Sequence, residues 1–145
     1  MLTTDQKGAA AELAIAHMAA ELGVGVFKPL TDGERYDLIF NLHPRLIRVQ
    51  CKWAPRDGQT VIVRCYSNRR AKEGLRRRKY AASEVDAIVA YCQEIDQCFF
   101  VSAERFDGHA QLALRLAPSR NNQGIGVNWA SDFELGARLT ELLGP

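Results

Sequence analysis

Asp37, Gln50 and Lys52 interrupt RYDLIFNLHPRLIRVQCKWA, residues 35–54, a segment otherwise built largely from apolar strand formers. Side chains alternate faces along a strand, so Gln50 and Lys52, two apart, share one face and Arg48 continues their polar line. Val49 and Cys51 point the other way. A turn at His43 and Pro44 folds the preceding run back, which brings Asp37 alongside Gln50 and Lys52. A carboxylate, an amide oxygen and an ammonium then meet on one strand surface.

That set suits phosphodiester chemistry around a hard cation. Magnesium takes oxygen ligands and keeps several waters, so Asp37, the Cys51 main-chain carbonyl and the Gln50 amide oxygen would suffice to hold it. A bound cation lowers the pKa of its water and offsets transition-state charge, while Lys52 orients the water or meets developing charge. A salt bridge between Asp37 and Lys52 on an exposed sheet explains the same three residues, and the pattern alone leaves both readings open.

A second carboxylate lies upstream. Glu12 has Gly8, Ala9, Ile15 and Ala16 as its helical neighbours, all small or apolar. A charge among them is exposed, paired with a base, or close to a metal, because burying it alone is costly.

The formal net charge is +2, but its distribution is uneven. Arg69, Arg70, Lys72, Arg76, Arg77, Arg78 and Lys79 face a single Glu73, a local charge of +6 that leaves −4 for the rest of the chain. A basic block on a mildly acidic body matches a phosphate-binding surface, since each neutralised phosphate releases counterions. The plain alternative is a solvated charged face. Lys7, five residues before Glu12, and Arg35, beside Asp37, are further candidates for the nucleic-acid backbone.

The elements that must position these residues are legible in outline. Residues 3–22, TTDQKGAAAELAIAHMAAEL, read as a helix, with Thr3 and Gln6 as a capping box and Gly23 as a stop. VGVFKPL, YDLIFNL, RLIRVQCKWA and TVIVRCYS follow as strands. The basic segment 68–82 reads as loop and helix. VDAIVAYC and QCFFVS are nearly continuous apolar runs suited to central strands, QLALRLA is a further strand, and SDFELGARLTELL is a helix with Ser131 as its cap. This order predicts a single α/β domain over residues 1–145, with a central mixed sheet flanked by helices.

KGAAAE, RYDLIF and RVQCKWA, in that order and spacing, resemble the PD-(D/E)xK nuclease superfamily. The D…QxK branch, to which certain group I intron homing endonucleases belong, is the most similar; Holliday junction resolvases and many restriction enzymes share the superfamily. The resemblance continues through Tyr80, VDAIVAYC and LRLAPSRNNQGIGVNWASDFE. It implies a restriction-endonuclease-like fold and Mg²⁺-dependent DNA hydrolysis, with Mn²⁺ as a substitute. Glu12, Asp37, Gln50 and Lys52 then take the catalytic positions, and Glu12, Asp37, Gln50 and Cys51 the metal. Tyr36 stands where the motif has proline, and Gln50 where many members carry an acid, which leaves the number of metals open.

Several classes are disfavoured. No run approaches the roughly 20 apolar residues of a membrane span, and MLTTDQKGAAAE has no signal-peptide pattern, so no membrane role and a cytoplasmic location are expected. Cys51, Cys65, Cys92 and Cys98 show no zinc spacing and read as reduced, buried thiols. His17, His43 and His109 are scattered. Tyr36, Trp53, Tyr66 and Tyr80 read as packing residues before stacking platforms. Asn121, Asn122 and Gln123 form a polar cluster suited to a turn or to reading base edges. The competing function is a nucleic-acid-binding module without catalysis; an RNA nuclease is a third reading. A domain of this size needs a second active site to cut a duplex, so a homo-oligomer, dimer or tetramer, is expected.

Overall fold

The computed structural model describes residues 1–118 and 126–144. In chain order the elements are α1 (Thr4–Glu21), β1 (Gly25–Phe27), β2 (Leu38–Asn41), β3 (Leu46–Trp53), β4 (Arg56–Asp57) and β5 (Thr60–Arg64). Then come β6 (Tyr66–Ala71), β7 (Gly74–Lys79), β8 (Ala87–Cys92), β9 (Gln97–Ser102), α2 (Ala103–Phe106), β10 (Gln111–Arg115), β11 (Asn128–Trp129) and α3 (Leu135–Leu143). The fold is the expected α/β arrangement with a central mixed sheet. Asn121, Asn122 and Gln123 lie outside the described residues.

The central sheet has the order β1-β2-β3-β8-β9. β2 runs antiparallel to β3, β3 parallel to β8, and β8 antiparallel to β9. Burial along β3 alternates as its sequence predicts: Ile47, Val49 and Cys51 are buried, while Arg48, Gln50 and Lys52 are half-exposed. β8 is apolar on both faces because both are covered. On one side Val49 and Val89 pack with Ile15 and Ala19 of α1 and Leu139 of α3. On the other, Ile88 and Val101 pack with Val61 and Val63 of β5 and Leu114 of β10. β5 and β10 belong to a second sheet, β11-β10-β5-β4.

α1 begins as its sequence indicates. Thr3 Oγ1 accepts the Gln6 N–H, and Gln6 returns its side-chain oxygen to the Thr3 N–H at 2.9 Å. α3 differs from expectation: a 3₁₀ turn over Ala130–Phe133 comes first, and Glu134, not Ser131, is the cap. Its carboxylate takes the N–H groups of Gly136 and Ala137, an acid at the positive end of the helix.

The largest correction concerns the basic segment. Residues 68–82 do not form loop and helix; β6 and β7 are an antiparallel hairpin, paired from Tyr66–Lys79 to Ala71–Gly74 and joined to neither sheet. All six residues of β7 are exposed. Periodicity could not reveal this, because a strand whose two faces are both wet carries no apolar alternation.

Candidate active site

β2 starts one residue after Asp37, and its pairing with β3 ends at Leu38–Val49. The Cys51 N–H lies beyond that last pair, and the Asp37 Oδ2 accepts it at 3.0 Å. The carboxylate is thereby held against the strand that carries Gln50 and Lys52. Its desolvation raises the Asp37 pKa; the Cys51 hydrogen bond opposes the shift, and the nearby Glu12 charge adds to it.

Glu12 approaches from α1. Of its three expected environments the structure shows pairing with a base: Lys28, just after β1, donates to its carboxylate. Glu12 and Asp37 line the same cleft of about 240 Å³, together with Lys28, Asp32 and Glu34. Nothing in the sequence around Lys28 set it apart from an ordinary surface lysine.

Lys52 does not pair with Asp37. Among the described residues the two form no ion pair within 4.0 Å. The Lys52 Nζ instead donates 2.8 Å to the Tyr66 carbonyl, at the start of β6, and sits 4.9 Å from the centre of the Tyr80 ring. Burial lowers its pKa, against the pull of Asp37. The salt bridge that would explain the polar strand residues without chemistry is therefore absent there. Gln50 donates its amide nitrogen to the Cys51 carbonyl at 3.3 Å, so two of the expected metal-binding groups are hydrogen-bonded to each other on β3.

Other polar residues on this surface are structural. Arg48 forms a two-pronged pair with Asp86, Nε to Oδ2 and Nη2 to Oδ1, both at 3.0 Å, and holds the Asp86 pKa down. Arg35 stacks 4.2 Å from the Tyr80 ring centre and donates to Ser67 Oγ and to the carbonyls of Arg78 and Lys79. It ties the hairpin to the body two residues before Asp37. Tyr66 and Tyr80 are buried, as their packing role predicts. Trp53 meets Tyr91 edge-on at 6.0 Å, and the Lys7 ammonium lies 5.9 Å from the Trp53 ring centre.

Among the seven basic-block residues, Arg76 pairs with Glu73, Arg78 with Glu84, and Arg77 stacks 4.5 Å over Tyr66. Arg69, Arg70 and Lys72 lie at the far end of the hairpin, and Lys79 at its base donates to the Gly108 carbonyl. All four cysteines are free and buried. Burial pushes the Cys65 thiol up to about 11 and the Cys98 thiol up to about 12, which keeps them protonated.

The donor set at Asp37 fits a hard cation better than a soft one. Among the described residues no three His, Cys, Asp or Glu side chains sit close enough to hold a metal ion by themselves. Glu12 and Asp37 line one cleft with Asp32 and Glu34, and Asp37 carries a desolvated charge that a cation would relieve. Hydrated magnesium needs no more than this.

The model of the PD-(D/E)XK endonucleases matches residues 2–136. The chain belongs to that family. This nuclease is also similar in fold to a bacterial homing endonuclease, I-Ssp6803I, with a TM-score of 0.74 at 23% identity, covering 95% of this chain and 93% of that one. No curated protein matches it.

Proposed function

We propose that this endonuclease hydrolyses phosphodiester bonds of DNA with Mg²⁺ or Mn²⁺, working in the cytoplasm as a homo-oligomer, dimer or tetramer. The reading rests on one observation above all: the hydrogen bond from the Cys51 N–H fixes the Asp37 carboxylate beside Gln50 and Lys52 without a neutralising ion pair. Asp37 is the main metal ligand, with Glu12, the Gln50 amide oxygen and the Cys51 carbonyl completing the set. The bound cation would supply a more acidic water and charge stabilisation at the phosphate.

The chain's own residues do the rest. Lys52, desolvated and held by the Tyr66 carbonyl, orients the attacking water or meets the negative charge that grows on the phosphate. The arm's cations hold flanking phosphates and bring the backbone to the site. Lys28 engages one oxygen of Glu12, and the other oxygen is the one left to serve a metal. A second copy supplies the second active site for the opposite strand.

The decisive experiment is cleavage of supercoiled plasmid and branched duplex in Mg²⁺, repeated with Asp37→Ala and Lys52→Ala. Each substitution is expected to slow cutting by about a hundredfold or more while binding persists. Binding without cutting by the unaltered protein would leave a non-catalytic module; cutting that survives both substitutions would refute these assignments.

A further inference from the structure

Two clefts flank the Asp37–Cys51 hydrogen bond, and they differ in charge. Asp37 lines the acidic one, with Glu12, Asp32 and Glu34. Cys51 lines the other, a cleft of about 550 Å³ between the start of α1 and the base of the hairpin. Its charged lining is Lys7, Lys52 and Arg64, with no carboxylate, and Thr4 and Asn68 add polar groups. Lys52 lines the basic cleft.

We propose that this basic cleft is a phosphodiester-binding subsite, in which Lys7 and Arg64 hold one backbone phosphate of a strand whose neighbouring linkage lies at Asp37 and Lys52. The inference rests on the nuclease reading for the identity of the ligand, and it adds Arg64, a residue outside both the motif and the basic block.

Two facts carry it. Lys7 on α1, Lys52 on β3 and Arg64 at the end of β5 come from separate elements, so their convergence belongs to the fold and not to a charge run. Among the described residues neither Lys7 nor Arg64 forms an ion pair or a side-chain hydrogen bond, whereas Arg48, Arg76, Arg78 and Arg138 all have carboxylate partners. Like charges gathered around an open cleft raise each other's energy until an anion enters. A phosphodiester is the anion that an adjacent hydrolytic site would present, and the guanidinium of Arg64 can grip two of its oxygens.

The test uses a fluorescein-labelled duplex of arbitrary sequence and metal-free full-length protein, so that binding is read without cutting. Arg64→Ala and Lys7→Ala should each weaken binding about tenfold and reduce the slope of log affinity against log salt by about one. Arg45→Ala, at an exposed cation beside the His43–Pro44 turn that lines neither cleft, should change neither. In a titration with a thymidine pentanucleotide, the side-chain amide signal of Asn68 should shift in the unaltered protein and stay in place in Arg64→Ala. An Arg64→Ala slope equal to that of the unaltered protein, or an Asn68 signal that never moves, would overturn the subsite. Failure to cut DNA in Mg²⁺ would strike the catalytic reading alone, because the binding measurements decide the subsite independently.

Discussion

The central sheet and the β6–β7 arm are both built from strands, yet they answer to different physics. In β8 five of six residues are buried; in β7 all six are exposed. The sheet is held by apolar area removed from water on both faces, each fully buried side chain contributing about 1.5–3 kcal/mol. The arm has no core of its own, and an isolated hairpin is marginal in water. It stands because its base is fastened. Arg35 donates to Ser67, Arg78 and Lys79, the Lys52 Nζ donates to the Tyr66 carbonyl, and Arg78 pairs with Glu84. The contrast teaches that the sheet supplies stability and the arm supplies charge, with Asp37 and Lys52 sited where they meet.

The sharpest way to separate the two roles is to damage each in turn. Phe40→Ala, which removes a fully buried ring between sheet and α1, should cost about 3–5 kcal/mol of stability in chemical denaturation. Replacing Arg69, Arg70, Arg76 and Arg77 together by Ala should leave the denaturation midpoint nearly unchanged. It should lower duplex affinity by about a hundredfold to a thousandfold and reduce the salt slope by about three to four. If the arm substitutions unfold the protein, or leave binding intact, the division of labour fails.

Arg35→Ala tests the fastening itself. Losing three charge-assisted hydrogen bonds and the stack on Tyr80 should speed amide exchange in β6 and β7 by about tenfold or more, with little change in β8. Uniform acceleration across both regions would show that the arm is not a separate unit. Because Arg35 stacks on the same ring as Lys52, cutting should fall as well, through kcat more than KM.

The smallest effect concerns the site's own cost. Desolvation raises the Asp37 pKa, so its contribution to stability is fully present below the ordinary value of 3.8 and is lost as pH rises through the folded-state value. Asp37→Asn keeps an acceptor for the Cys51 N–H and removes the buried charge. The variant should melt at a higher temperature than the unaltered protein at neutral pH without metal, and the gap should close on acidification. Mg²⁺ should raise the melting temperature of the unaltered protein and not that of Asp37→Asn. A lower melting point for the variant at neutral pH would show that the carboxylate is not held at a cost. Burial lowers the Lys52 pKa, so any part of the rate that needs its ammonium should fade as pH rises through a value below the ordinary 10.5.

The sequence by itself determined the parts whose physics is local. The Thr3–Gln6 capping box, the alternation along β3, the nearly continuous apolar runs of β8 and β9, and the turn at His43 and Pro44 can all be read from residue type and spacing, because each depends on near neighbours. Glu12, Asp37, Gln50 and Lys52 were singled out by residue type and by resemblance to a family motif, and their catalytic roles are the proposal that the cleavage experiment tests. The hairpin over residues 66–79 was not legible. Its pairing is driven by main-chain hydrogen bonds and by fastenings from Arg35 and Lys52, both earlier in the chain, and from nearby Glu84, so it leaves no apolar period to read. Only tertiary structure decided that Lys28, not a bare solvent shell, meets Glu12, that Arg48 belongs to Asp86, and that Lys7, Lys52 and Arg64 line one cleft. Each of those outcomes turns on which elements pack together, and long-range packing of charged side chains carries no signature in the order of residues along a chain.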